Sequence, residues 1–315
     1  MNGFINLLKP CGMSSSDAVF RLKRAVGYKN CGHMGTLDPG AAGVLPVAVG
    51  KAARLFDYLL DKRKRYRAVF RFGISTDTLD SYGKVETLGG RIPAREEIEA
   101  VLPGMCGRIL QTAPLFSAKK INGRKGYELA RAGKEYEPPK KQVVVYGIEL
   151  LEKVGADAYE FDIECGGGTY IRSIARDLAQ KLGTVAFMRS LIRLQSGRFR
   201  IEDAVTPEEL DELAAAGQVP MVSADFAVAD FPRTVVPEEW AFRFGNGAAV
   251  PAQALEFESA EFPDTGPGAT REGVGNETCR VYCGGAFWGM GEIAEGEDGL
   301  RALRLKSKVL EARCD

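Results

Sequence analysis

The chain has 315 residues with 45% hydrophobic and 27% charged content and a formal net charge of zero, which is typical of a globular protein with one large and one smaller domain. No stretch approaches the ~18 consecutive apolar residues of a membrane-spanning helix, so we expect no membrane association. The N-terminus lacks the features of a secretion signal, and seven cysteines without C-x-x-C spacing favour a reducing cytoplasm over a disulfide framework.

The net charge of zero averages two regions of opposite sign. Residues 1–200 carry 33 Lys and Arg against 20 Asp and Glu, whereas residues 201–300 carry 4 against 20. A surplus of cations in the first two-thirds is what a surface that binds a polyanion needs. Two domains with unrelated surface charge would produce the same asymmetry, so charge alone leaves both interpretations open.

Hydrophobic periodicity predicts a regular series of elements in the first third of the chain. Ser14 can cap a first helix and Gly27 can stop it, and a glycine-rich loop at residues 32–43 follows. Residues 66–72 alternate in polarity and place Tyr66 on the interior face of a strand. The elements predicted here are a helix that ends at Val26, a buried strand at 44–49, a helix at 50–60, the strand at 66–72 and a helix at 93–105.

The remainder of the chain divides into two parts. A basic, turn-rich segment at residues 118–141 is followed by strands at 143–151 and 159–165 and by a helix after Gly168. Strands and helices mix without a βαβ rhythm, which indicates an α+β fold with a mixed, largely antiparallel sheet. Short strands and Gly-rich turns at 233–315 predict a small β-barrel. We therefore predict domains at 1–232 and 233–315.

The motifs that the chain lacks narrow the chemistry. His33 is the only histidine, which excludes a multi-histidine metal site, and no Cys/His cluster has zinc spacing. The sequence contains neither a phosphate-binding P-loop motif nor a strand-linked dinucleotide motif. We therefore expect no cofactor and a reaction carried out by carboxylate, tyrosine and arginine side chains.

Asp38 and Arg172 are the first candidates for that chemistry. Asp38 precedes Pro39 and shares a short glycine-rich loop with His33, although an Asp-Pro turn would account for Asp38 alone. Arg172 falls in the first turn of a predicted helix, where a cation opposes the helix dipole and needs a partner. A buried carboxylate is the natural partner, and Asp38 is a candidate. An aromatic residue such as Tyr66 on an apolar strand face is ordinarily a core residue.

Four stretches of the chain carry a pattern that extends over residues 3–200. They are Asn6 to Ser15, Gly32 to Pro46, Lys64 to Asp80 and Gly168 to Leu194. Their order and spacing resemble the bacterial tRNA pseudouridine-55 synthase family, and the most specific segment is Gly32-His33-Met34-Gly35-Thr36-Leu37-Asp38-Pro39. A weaker match, Trp288 to Ile293, resembles the end of the small PUA domain that this family carries at its C-terminus.

The resemblance implies a pseudouridine synthase fold, a C-terminal PUA-like β-barrel and a cofactor-free isomerase that converts uridine 55 in the T-loop of tRNA to pseudouridine. The target base must leave its stack to be reached. The expected partner is the T-arm of tRNA, and residues 118–141 would contact the RNA. We expect a monomer without an obligatory protein partner.

The resemblance also assigns roles to residues. Asp38 would be the catalytic aspartate, paired with Arg172, and Tyr66 would stack on the target base. Tyr170 and Leu191 would complete the pocket. His33 would contact the rearranged T-loop near the flipped nucleotide.

Two other functions remain open from the sequence. The chain could be a non-catalytic RNA-binding protein on the same scaffold, or a glycosidase with Asp38 and Asp80 as its carboxylate pair. The glycosidase interpretation leaves Tyr66, Arg172 and the basic surface without a role. Residues 254–279 read as an expanded acidic loop, so we expect few phosphate contacts from the C-terminal domain.

Overall fold

The computed structural model describes residues 2–60, 62–117, 120–121, 123–132, 136–258, 277–296 and 299–309. The described helices are α1 Ser15–Val26, α2 Phe56–Leu60, α3 Arg95–Val101, α4 Gly126–Arg131, α5 Ile171–Lys181, α6 Pro207–Ala215 and α7 Glu238–Gly245. The strands of the first half are β1 Gly3–Lys9, β2 Cys31–His33, β3 Ala41–Val49, β4 Lys64–Phe72, β5 Ile74–Thr76, β6 Val85–Leu88, β7 Gly107–Thr112, β8 Lys120–Ile121, β9 Arg124–Lys125 and β10 Lys140–Lys153. Those of the second half are β11 Ala158–Cys165, β12 Ala186–Ser196, β13 Phe199–Arg200, β14 Val222–Ser223, β15 Arg233–Val235, β16 Val250–Pro251, β17 Glu256–Glu258, β18 Glu277–Cys283, β19 Ala286–Glu295 and β20 Arg301–Lys308.

The larger sheet is mixed and mainly antiparallel, as predicted. Its order is β14-β1-β3-β12-β4-β11-β10-β7, with β13 beside β12 and β2 beside β3. Only the β12–β3 pair among these strands is parallel, and it places Leu191 opposite Ala41. The loop that carries Asp38 therefore enters the sheet beside the strand that carries Leu191. No described helix is both long and apolar enough to cross a membrane.

The predicted ends of α1 are confirmed. The Ser14 hydroxyl accepts a hydrogen bond from the Asp17 backbone N–H at 3.1 Å, which satisfies one of the amides left open at a helix start. Gly27 takes the left-handed conformation with φ of 65°, which a residue without a side chain adopts at little cost. The two caps therefore account for where α1 begins and where it ends.

Strand β4 separates an apolar face from a charged one, as its alternation predicts. The inward residues Tyr66, Ala68, Phe70 and Phe72 are all buried. On the opposite face, Arg65 and Arg67 bind Asp162 of β11 with nitrogen–oxygen distances of 2.6 and 3.5 Å. Much of the basic character of this strand is therefore neutralised by carboxylates of its neighbour.

The second sheet has the order β16-β20-β19-β18-β15-β17 and fits the predicted C-terminal PUA-like unit. Helix α7, which the sequence pattern did not predict, packs Phe244 against Trp288 of this sheet with ring centroids 6.2 Å apart. The two sheets share one apolar cluster, in which Phe4 of β1 joins Met290 and Val309. They are therefore packed against each other.

Two predicted segments are only partly described. Residues 118–119, 122 and 133–135 of the basic segment 118–141 lie outside the described residues, and its described remainder contains β8, β9 and α4. Residues 259–276 of the predicted acidic loop also lie outside them. The expected RNA contacts of 118–141 therefore stay a prediction.

Phe4→Ala should destabilise the chain because Phe4 is fully buried between the two sheets. The free energy of unfolding should fall by about 3–5 kcal/mol, the range for removal of a buried phenylalanine side chain. Urea unfolding followed by circular dichroism measures it. Phe20→Ala removes the same atoms from a side chain that is 63% exposed and should change the stability by less than about 0.5 kcal/mol. Equal losses in the two variants would contradict the shared core.

Candidate active site

The Arg172 guanidinium lies at the centre of the site, with a side chain only 7% exposed. Its Nη2 is 2.9 Å from Asp38 Oδ2 and its Nη1 is 3.4 Å from Asp80 Oδ2. The same nitrogens donate to backbone carbonyls, Nη1 to Thr78 at 2.9 Å and Nη2 to Phe116 at 3.1 Å. These partners compensate a buried cation in the first turn of α5, where the helix dipole is unfavourable to it.

The two carboxylates on Arg172 differ in their access to solvent. The Asp38 side chain is 42% exposed, whereas that of Asp80 is 17% exposed. Asp80 is also held by the Thr78 hydroxyl, which donates to Oδ1 at 2.6 Å. Asp38 is therefore the carboxylate that a substrate can reach, and Asp80 is set behind it.

Short hydrogen bonds fix the loop that carries Asp38. The buried Ser15 hydroxyl bonds both backbone groups of Leu37, the N–H and the carbonyl, each at 2.8 Å. The Gly12 N–H donates to the Pro39 carbonyl at 2.8 Å. The residues on either side of Asp38 are thus held from the start of α1, and the carboxylate position does not depend on Arg172 alone.

Arg193 supports the same loop from inside the protein. It is 1% exposed, and its guanidinium donates to the carbonyls of Val44 at 2.7 Å and Gly35 at 3.2 Å. Arg193 is not among the site residues predicted from the sequence. A signal was present, since β-strand alternation places Arg193 on the same interior face as Leu191, where a charged residue needs partners.

Tyr66 and Leu191 lie next to these groups. Tyr66 pairs with Arg193 across the β4–β12 ladder, and Leu191 pairs with Ala68 in the same ladder. Burial raises the pKa of the Tyr66 hydroxyl, the Arg193 guanidinium opposes this rise, and the Asp38 charge adds to it. Tyr66 is therefore protonated at neutral pH and lies within the electrostatic reach of Asp38.

Tyr170 caps the N-terminal end of α5 and is held through its backbone. The buried Gln111 amide accepts from the Tyr170 N–H at 2.8 Å and donates to the Tyr170 carbonyl at 3.2 Å. Burial raises the pKa of the Tyr170 hydroxyl, with a smaller contribution from the charge of Asp38. No local pattern indicates Gln111, because its role depends on β7 lying beside α5.

His33 lies at the end of β2, five residues before Asp38, and is not among the groups in contact with Arg172. Its Nδ1 is buried and has no hydrogen-bond partner within the described chain. Burial lowers the pKa of the imidazole, and the nearby Arg193 cation lowers it further. The ring is therefore neutral at pH 7, and its Nδ1 is enclosed by the protein.

Lys9 is a further buried charge near the site that the sequence analysis did not single out. It is fully buried at the end of β1, and its Nζ donates to the carbonyls of Pro10 at 2.8 Å and Met13 at 2.6 Å. Burial lowers its pKa, while the charge of Asp38 opposes that change. Lys9 thus fixes the turn before α1 and adds positive potential behind Asp38.

Two solved structures contain chains that resemble this one over nearly its whole length. A Cbf5-Nop10-Gar1 complex contains a chain with a TM-score of 0.73 and 25% identity, covering 98% of this chain and 85% of that one. A chain in an H/ACA RNP bound to a substrate RNA that contains 2'-deoxyuridine gives a TM-score of 0.72 at 22% identity, covering 99% of this chain and 86% of that one. This chain therefore shares its overall fold with those two chains.

Sequence comparisons identify the family. The TruB family pseudouridylate synthase N-terminal domain matches residues 23–171, and the tRNA pseudouridylate synthase B C-terminal domain matches residues 172–222. A tRNA pseudouridine synthase B of Streptococcus pneumoniae serotype 2 (strain D39 / NCTC 7466) is 38% identical over 271 residues, which are 84% of this chain and 93% of that protein. A tRNA pseudouridine synthase B of Geobacillus thermodenitrificans (strain NG80-2) is 41% identical over 258 residues, which are 79% of this chain and 85% of that protein. The chain belongs to the TruB family.

Arg193→Lys should destabilise the fold because an ammonium cannot replace the planar fork that binds separate carbonyls. At least one buried carbonyl would lose its partner, and the free energy of unfolding should fall by about 1–3 kcal/mol. Urea unfolding measures the loss. Arg189→Lys is the matched control, because Arg189 lies on the same strand and is exposed. A loss as large in the control would contradict a special role of the Arg193 fork.

His33 should make the stability pH-dependent near neutrality. Its folded-state pKa is lowered, so the unfolded chain binds more protons below its unfolded pKa of about 6.5. Stability should therefore decrease as the pH falls from 7.5 to 5.5. His33→Gln should remove part of this slope, and because His33 is the only histidine the difference between the two chains isolates it. Parallel melting-temperature profiles would contradict the lowered pKa.

Proposed function

We propose that this chain is a tRNA pseudouridine synthase that isomerises uridine 55 in the T-loop. The observation that carries the proposal is the ion pair of 2.9 Å between the accessible Asp38 and the buried Arg172, beside the buried Tyr66. Family membership supports the reaction, since the similar proteins of S. pneumoniae and G. thermodenitrificans are tRNA pseudouridine synthases B. The enzyme is an isomerase, and its macromolecular substrate is tRNA.

The reaction is balanced without a cofactor. The glycosidic bond between C1′ of the ribose and N1 of uracil breaks, and a bond between C1′ and C5 forms. The proton on C5 is released and N1 gains a proton, so no group is lost and no redox change occurs. The detached uracil must stay in the pocket between these steps, and the walls formed by Tyr66 and Leu191 exclude water from it.

Each predicted site residue takes a defined part in this proposal. Asp38 is the catalytic carboxylate, and Arg172 orients it from the buried side. Tyr66 stacks on the target base, with its hydroxyl protonated. Tyr170 closes the pocket at the start of α5. Flipping the base costs a few kcal/mol, which the stacking contact partly offsets.

His33 is proposed to contact the T-loop beside the flipped nucleotide. The His33 side chain is half-buried, so part of its ring is open to an RNA hydroxyl or base, whereas Nδ1 itself is enclosed by the protein. The neutral ring suits this task, because a neutral imidazole nitrogen can donate or accept according to the tautomer.

Domain limits and partners complete the proposal. A catalytic domain at residues 1–232 corresponds to the ten-stranded sheet, and a PUA-like domain at 233–315 corresponds to the six-stranded one. The basic segment at 118–141 would contact the RNA. We propose that the chain acts as a monomer in the cytoplasm, without an obligatory protein partner, and sedimentation of the purified chain tests the oligomeric state.

Tritium release from C5 of the target uridine tests the function. With tRNA transcripts labelled at uridine C5, the wild-type chain should release tritium, and Asp38→Asn should lower the rate by at least about a hundredfold because the reacting carboxylate is lost. Asp57→Asn is the matched control, since Asp57 is exposed on α2 and should leave the rate unchanged.

The same assay separates the competing functions. A glycosidase that uses Asp38 and Asp80 would release free uracil, and a non-catalytic RNA-binding protein would bind the transcript without release of label. Either outcome for the wild-type chain refutes the proposed reaction. Full activity of Asp38→Asn would refute the role of Asp38 and leave the reaction intact.

A further inference from the structure

Tyr82 lies at the rim of the pocket, in the loop between β5 and β6. It is 65% exposed, so an aromatic face is open to solvent beside the pocket. The ring lies against Gly40, two residues after Asp38, where a Cβ atom would come within 2.3 Å of Tyr82 Cε2. The absence of a side chain at Gly40 thus lets the ring rest on the backbone of the Asp38 loop, with most of its surface open to solvent.

The backbone around Tyr82 is held in one conformation. Leu79 is the one non-glycine residue with positive φ in the described part of the chain, at 61°, a strained state that persists only where contacts impose it. Arg172 holds the Thr78 carbonyl just before it. Asp80 Oδ1 accepts hydrogen bonds from the Thr78 hydroxyl at 2.6 Å and from the Tyr82 N–H at 3.0 Å. The residues that bind the catalytic ion pair therefore also orient Tyr82.

A contact at the far end of the ring fixes its direction. The Tyr82 hydroxyl lies 3.9 Å from Cys11 Sγ, within the range of a hydrogen bond that involves sulfur, and Cys11 Sγ donates to the Gly40 carbonyl at 3.3 Å. The ring is thus held at its backbone and at its tip. A ligand that stacks on it has little side-chain entropy to remove, which favours binding.

We propose that Tyr82 is a stacking platform for a nucleobase of the substrate RNA that neighbours the flipped uridine, and that it positions the T-arm over Asp38. The inference rests on the proposed function, because it requires an RNA substrate. A base next to the flipped uridine loses its stacking neighbour, and an exposed ring at the rim of the same pocket replaces it. Every base has a π-face, so the contact positions the RNA without selecting a base identity.

The test compares Tyr82→Ala with Tyr82→Phe in steady-state tritium release from a labelled T-arm stem-loop. Tyr82→Ala should raise KM by about fivefold or more, the effect of alanine at a base-stacking aromatic, with kcat within about twofold of wild type. Tyr82→Phe keeps the ring and its contact with Gly40 and loses only the hydroxyl contact with Cys11, so KM and kcat should both stay within about twofold of the wild type. Thermal unfolding of both variants should match the wild type, because the side chain is exposed.

Leu88→Ala is the matched control, since Leu88 lies in the same hairpin and is 77% exposed, and it should leave KM unchanged. Stem-loops with 5-iodouridine at single T-loop positions should crosslink on irradiation to the peptide that contains Tyr82. A KM for Tyr82→Ala within about twofold of wild type overturns the inference, as does a Tyr82→Phe variant as weak as Tyr82→Ala. Either result leaves the proposed function standing, whereas a wild-type chain that releases no tritium refutes that function instead.

Discussion

The buried charge of Arg172 is the constraint on which the pocket depends. A guanidinium removed from water must meet carboxylates and carbonyls, or the fold loses several kcal/mol. Arg172 meets them in three segments that are distant in sequence: the loop of Asp38, the turn of Thr78 and Asp80, and the carbonyl of Phe116. Because one side chain binds all of them, the geometry of the catalytic carboxylate and the shape of the rim are set together.

Two arginines hold the Asp38 loop through different contacts. Arg172 approaches from α5 and binds the carboxylate, whereas Arg193 approaches from β12 and binds backbone carbonyls. The first fixes the direction of the functional group and the second fixes the path of the chain that carries it. Both tasks use the planar fork of arginine, with its donors in fixed directions.

Local patterns predicted the elements that local interactions determine. The caps of α1 and the alternation of β4 each follow from neighbours in sequence, and the structure confirms both. Helix α7 was missed, since its short amphipathic pattern follows Pro237 in a region dominated by turn residues and strands. The same region's acidic composition gave no signal for a helix of eight residues.

The buried polar contacts of the site could not be predicted from the sequence. Lys9, Gln111 and Arg193 take their positions from contacts between elements far apart in the chain, and periodicity does not report such contacts. The surplus of cations in the first two-thirds of the chain is likewise a count of residues, which does not tell which side chains bind carboxylates of the protein itself. In the fold, Arg65 and Arg67 both bind Asp162, so some of the 33 cations are engaged by carboxylates of the protein.

The apolar cluster shared by the two sheets couples β1 to the C-terminal sheet. Phe4 packs in the same cluster as Met290 and Val309, and the Asn2 side chain donates to the Val309 carbonyl at 3.1 Å. Local opening of the six-stranded sheet would therefore uncover the Phe4 face of β1 even while the hydrogen bonds of the larger sheet persist. The resistance of the larger sheet to proteolysis thus depends on strands that contribute nothing to the pocket.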